Sequence, residues 1–306
     1  MYKTVFFEIS GKCNAICRWC TTGLANLKGE NRPSRFIPTN KFDAAIDYLL
    51  ENNIVDNSTI IHLYNWGEPL LHPQFHEIVD GLNQRCIKFG LSTNASVAIS
   101  AQCKDEFRNL AWLRYSIPGF SQASYDKIHG FNFEEIKQNI KILQKEFTSA
   151  GYKGKPEVSF LVYQFNMNEL QNAFTFFEPL GIKVFASYAY FNGFRMFQSY
   201  LDGTMPCEDT KKAKEELVLD FIEARKKERP TDYYCPQYSM LTIDEYCEVL
   251  TCCSVEKGME GYSIGNLFEL DFEQIHNNKL SQAVCATCES LKLDYIGHNP
   301  FVLHAR

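Results

Sequence analysis

From Thr4 to about residue 200 the chain alternates β-rich apolar runs with helical patterns, and this rhythm leaves few architectures open. Residues 4–10, 59–64, 88–92, 112–116, 157–163 and 183–188 read as strands. Helices are predicted over 38–50, 74–84, 133–147 and 169–180, with a poorer one from Ser100. In the first, Thr39 reads as an N-cap, and Phe42, Ile46, Leu49 and Leu50 share one face. Ile136, Ile140, Leu143 and Phe147 repeat that spacing in the 133–147 stretch. Six strand–helix units in a row predict an α/β chain with a parallel sheet and its helices outside. A longer helix over 208–227 ends before Arg229-Pro230, where the character of the chain changes. Beyond Tyr233 stand short β-like pieces, a single helix near 272–283 and six of the twelve cysteines. The expected organisation is a barrel-like unit over 1–205, a connecting helix over 206–230 and a small unit over 231–306.

Composition narrows the function classes. The formal net charge of −6 comes without a basic stripe, which argues against a nucleic-acid substrate. No apolar run reaches membrane-spanning length, so no membrane partner is expected. Met1-Tyr2-Lys3 leads straight into the first strand pattern, the expectation for a cytoplasmic chain without a signal peptide. Twelve cysteines in that setting favour metal binding over disulfides.

Three of them, Cys13, Cys17 and Cys20, form C-x3-C-x2-C directly after the first strand. Soft thiolates so close together suit zinc or an iron–sulfur cluster. A structural zinc would want a fourth ligand, and no further cysteine follows until Cys86. Past the second strand stands Gly67-Glu68-Pro69, a turn whose carboxylate could accept charge-assisted hydrogen bonds from an ammonium group. Ser92-Thr93-Asn94 and Ser116 put hydroxyl and amide groups at the ends of the third and fourth strands, and Asn166, Tyr188 and Tyr190 follow the fifth and sixth. In the last quarter Cys235, Cys252, Cys285 and Cys288 could close a four-thiolate site for a [4Fe–4S] cluster or for zinc.

The cysteine spacing, with Trp19 before the last thiol and the Gly-Glu-Pro element downstream, resembles the radical S-adenosylmethionine (SAM) superfamily. The C-terminal set, with a hairpin, Gly265-Asn266 and the closing C-x2-C, is similar to the SPASM and twitch subgroup. The resemblance implies a partial (β/α)6 radical SAM barrel with a small SPASM/twitch-like auxiliary-cluster domain. It further implies a [4Fe–4S] cluster on Cys13, Cys17 and Cys20 that binds SAM, and Trp19, Gly67, Glu68, Pro69, Ser92, Asn94 and Ser116 as cofactor-binding residues. Glu68 would hold the SAM amino group. One auxiliary [4Fe–4S] cluster is expected on Cys235, Cys252, Cys285 and Cys288, since residues 289–306 hold no cysteine. An electron donor of the flavodoxin or ferredoxin type would complete the system.

The chain departs from the subgroup at two places. Cys247 stands where the hairpin turn usually has glycine, and Cys253 directly follows Cys252, with which it could exchange the ligand role. Cys86 and Cys103 read as plain thiols, and Cys207 is ambiguous. Three activities fit the resemblance. In a dehydrogenase similar to the 2-deoxy-scyllo-inosamine type, the auxiliary cluster takes an electron from a small polar substrate. In an epimerase, Cys247 or Cys253 donates a hydrogen atom. In a maturase the substrate is a peptide. The expected absence of a winged peptide-recognition domain ahead of the barrel tilts the choice toward a small molecule.

Overall fold

β1 (Thr4–Phe7) is the strand on which the sheet is hung. It pairs in parallel on one edge with β2 (Ile60–His62) and on the other with β7 (Met240–Ile243). The computed structural model describes residues 1–226, 228–298 and 302–303. Beyond β2 follow, all parallel, β3 (Lys88–Thr93), β4 (Leu110–Ile117), β5 (Glu157–Val162) and β6 (Lys183–Tyr188). Beyond β7 the sheet turns antiparallel through β8 (Glu248–Leu250) and β9 (Ser263–Asn266). A short β10 (Val302–Leu303) closes the far edge against β6. The sheet thus has ten strands in one sequence of neighbours, and the C-terminal hairpin is a continuation of the barrel sheet.

Alternation along the strands separates two faces. Val5 and Phe7 are fully buried against the outer helices, with Phe7 5.1 Å from Phe42 of the helix Thr39–Glu51. Phe6 points the other way, into a lumen where its ring meets those of His62 and Tyr64. Trp112 of β4 reaches His62 and Tyr64 over Gly90 of β3, which lies between them in register and has no side chain. On β4, Leu113, Tyr115 and Ile117 are buried under helices, while Trp112, Arg114 and Ser116 face the lumen. No helix among the described residues is long and apolar enough to cross a membrane.

Several local expectations are corrected. Thr39 is the first helical residue, and Pro38 takes the cap position without a side-chain bond. Residues 100–109 form turns in place of a helix. The backbone N–H groups of Ala101 and Gln102 donate there to the carboxylates of Glu146 and Glu106. The long helix breaks in two, Cys207–Glu216 and Phe221–Arg225. Leu217 leaves the first to bridge Tyr163, and Asp220 caps the second by accepting from Ile222 and Glu223. Lys227 lies outside the described residues. After Tyr233, among the described residues, there are three α-helices where one is expected: Phe272–Leu280, Ala283–Ser290 and Leu293–His298.

Phe42 joins the first helix to β1, so Phe42→Ala should cost about 3–5 kcal/mol. Urea unfolding should read this as a lower midpoint with an unchanged slope.

Candidate functional site

The cysteine loop leaves β1 and ends at the helix Thr21–Lys28, whose N-cap is Cys20. Asn26 of that helix reaches back and donates to the carbonyls of Cys13 and Ala15, at 2.7 and 2.8 Å. Gly23 lets the helix close on the loop, since a Cβ there would stand 2.5 Å from the Cys17 nitrogen. The segment after β6 ties down the far end, where Asn192 N–H donates to the Trp19 carbonyl at 2.7 Å. The three thiols are half-buried and within electrostatic range of one another. Burial pushes the Cys13 thiol up to about 12.

Gly67 and Glu68 are stapled onto this loop. Glu68 N–H donates to the Lys12 carbonyl at 2.8 Å, and Gly67 N–H donates to Glu8 at 2.6 Å. A Cβ on Gly67 would lie 1.8 Å from the Ser10 oxygen, so no other residue fits. The Glu68 carboxylate, 2% exposed, accepts from Thr93 Oγ1, Asn94 N and Leu70 N, and burial raises it to about 7. Its visible task is to join β2 to β3. Pro69 is buried and begins the short 3-10 turn Pro69–Leu71. Asn94 points toward the cysteine loop, with Nδ2 3.2 Å from Asn14 Oδ1 and 4.0 Å from Cys13 Sγ. Ser92 pairs with Arg114 across β3 and β4 and shares the lumen side with Ser116. Trp19 is turned into a packed aromatic cluster against Phe191, and its indole N–H donates to Glu216 at 2.8 Å. Asn166 is fully buried, and its amide holds the carbonyls of Pro118 and Leu161, which makes it a loop brace.

Sequence reasoning missed Glu8. It is 2% exposed and accepts from the backbone of Trp66 and Gly67. Burial first, and then Glu245 and Asp244, raise it to about 8. Beside it Lys257 bonds Glu245 at 3.0 Å, and Tyr262 donates to Asp244 at 2.9 Å. A polar cavity of about 250 Å³ opens between this group and the cysteine loop, lined by Glu8, Cys13, Trp66, Glu245, Lys257 and Tyr262. An acid at the end of an apolar strand is the signal that could have found it.

Cys235, Cys252, Cys253, Cys285 and Cys288 line a second cavity, of about 140 Å³, together with Tyr190. Cys285 and Cys288 ride on the helix Ala283–Ser290, and the Tyr238 hydroxyl bonds Cys285. Asn192 also lines this cavity, and its amide donates to Cys20 Sγ at 3.9 Å, which links the two thiol sets. Cys247 does not join this group. It is fully buried in the hydrophobic core at the hairpin turn, with a φ of 66° that explains why glycine is usual there. Its thiol is closed off from solvent there. Cys86, Cys103 and Cys207 are exposed. Among the described residues no three His, Cys, Asp or Glu side chains converge as for a single chelated ion.

No family model matches the chain. It is 22% identical over 285 residues to the antilisterial bacteriocin subtilosin biosynthesis protein AlbA of Bacillus subtilis (strain 168), matching 90% of this chain. The chain spans only 59% of that relative's length. Among solved structures, Streptococcus suis SuiB bound to S-adenosylmethionine superposes with a TM-score of 0.59 at 16% identity, over 95% of this chain and 72% of SuiB. Native anSMEcpe with bound AdoMet gives 0.58 at 12%, over 95% of this chain and 88% of that one. The fold is the partial barrel of radical SAM enzymes with a C-terminal extension, and the likeness covers nearly the whole chain.

Two outcomes follow from the geometry. Gly67→Ala should lower the melting temperature by the equivalent of about 1–3 kcal/mol, because its Cβ collides with backbone. Glu8 binds its proton more tightly in the folded state, so folding loses stability as pH rises from 4.5 toward about 8. Glu8→Gln cannot ionise, and its stability advantage over the parent in urea titrations should grow across that window.

Proposed function

We propose that the chain is a radical SAM enzyme that oxidises a small polar substrate at a C–H position. The residues fit the required groups. Cys13, Cys17 and Cys20 would hold a [4Fe–4S] cluster with one iron open to SAM, and Cys235, Cys252, Cys285 and Cys288 would hold a fully ligated auxiliary cluster. When bound, these groups supply reductive SAM cleavage, hydrogen abstraction and an electron acceptor.

The chain's own residues position and shield. Asn94 and Asn14 border Cys13, where a SAM molecule would be oriented, and Ser92 and Ser116 face it from the lumen. Glu68 holds the β2 and β3 loops together beneath it, and Trp19 fixes the cysteine loop from behind. Glu8 and Glu245 give the adjoining cavity an acidic wall suited to hydroxyl or amino groups. We assign 1–205 to the barrel, 206–230 to the connection and 231–306 to the auxiliary unit, with a flavodoxin or ferredoxin as electron donor.

The observation that carries oxidation is Asn192, whose amide donates to Cys20 Sγ at 3.9 Å and which lines the second cavity with Cys252 and Cys253. A substrate between the two thiol sets would be close to both groups. A peptide substrate is the second reading, favoured by the relatives: SuiB has been solved with precursor peptide SuiA, and AlbA serves bacteriocin biosynthesis.

Anaerobic reconstitution should load about eight iron atoms per chain, if each cluster is a four-iron cubane. Turnover should remove two hydrogens from the product, and Cys253→Ala should keep that activity with both clusters present. Deuterium uptake from heavy water without mass loss, dependent on Cys253, would make the enzyme an epimerase. Activity on peptides and not on polyols or aminocyclitols would select the second reading.

A further inference from the structure

Lys279 belongs to the helix Phe272–Leu280, in a stretch with Asn277 and Asn278 that reads as a solvated face, yet it is 1% exposed. Its ammonium donates to the carbonyls of Gln237 at 2.7 Å and Met240 at 2.5 Å. Those bonds use two of its three protons. No carboxylate among the described residues pairs with it. The nearby buried acid, Asp294, is taken by Arg229 at 2.7 Å. The place of Lys279 in the fold is beside the thiol set: Cys285 Sγ lies 3.9 Å from the Lys279 carbonyl, and Gln237, which accepts from the ammonium, lines the cavity of Cys235, Cys252, Cys253, Cys285 and Cys288. A cation is not kept in such a place without a counter-charge, because unpaired burial is expensive. Four thiolates around an iron–sulfur group would supply one, since their summed charge is negative in both redox states.

We propose that Lys279 sets the reduction potential of the C-terminal iron–sulfur cluster, its fixed positive charge favouring the reduced form so that the cluster accepts one electron. This rests on the cluster assignment made under the proposed function. Asp294 and Glu289, which also face the thiols, act in the opposite sense, and Arg229 already offsets Asp294. Lys279 is therefore a buried cation that can balance the set.

The test is an EPR-monitored redox titration of the full chain carrying Cys13, Cys17 and Cys20→Ala, so that only the C-terminal group reports. Lys279→Met and Lys279→Gln should make the reduction equilibrium at least tenfold less favourable, which is 59 mV for a one-electron couple. Lys279→Arg should retain the parent midpoint. An unchanged midpoint in a fully loaded Met or Gln variant would overturn the assignment. Loss of the cluster from both neutral variants would also overturn it, since it marks a lysine whose bonds to Gln237 and Met240 are its whole role. Zinc in the parent itself, with no cluster signal, would instead defeat the cluster reading of the site.

Discussion

The structure depends on β1 being paired in parallel on both edges. Three of its four residues meet β2 on one side and all four meet β7 on the other, in registers that begin from the same Thr4. The cysteine loop and the acids around it are delivered from the ends of these three strands. β1 leads into Glu8 and the cysteine loop, β2 into Gly67 and Glu68, and β7 into Asp244 and Glu245. A parallel sheet sends all its strand ends to one rim, which is why loops distant in sequence converge there. Because β7 joins the same sheet, the C-terminal thiols are oriented by the barrel and not by a separate hinge.

The rim is also where the fold accepts electrostatic cost. Glu8 and Glu68 are nearly inaccessible and both are pushed upward, mainly by burial. Each is held by backbone donors that a simple turn would leave to water. Lys279 is pulled down, to about 8, by the same physics acting on a cation. Perturbed groups of this kind gather at sites that do chemistry, and here they flank the two thiol sets.

Much of this was legible in the sequence because it follows from periodicity and spacing. The six parallel strands came from β-rich runs, and the helix Phe133–Ser149 from its four apolar positions. Cys247 at the hairpin could be read as a replaced glycine, and its φ of 66° shows the conformation that glycine would supply. What escaped depends on tertiary context. The break after Glu216 comes from Gln164, whose backbone and side chain take the carbonyls that the helix would use. The lysine inside the auxiliary region is invisible in a polar run of helix. Glu68 reads as a ligand-binding acid, yet three donors from the protein already occupy it. The pairing of β7 with β1 could not be foreseen, since no local pattern specifies a partner more than two hundred residues away.

That last pairing has a consequence for how the chain is made. Strand β1 leaves the ribosome first, and its second edge has no partner until residues 240–243 have been synthesised. At about 5–20 residues per second that interval lasts about ten seconds or more. Throughout it, the nascent barrel carries an open parallel edge bordered by the apolar Val5 and Phe7, a template for pairing with another chain. The loop that holds Cys13, Cys17 and Cys20 hangs from that same edge, so its final shape waits for the last quarter of the protein. The final arrangement of the first thiol set and the completion of the second are thereby placed in one late step of biogenesis.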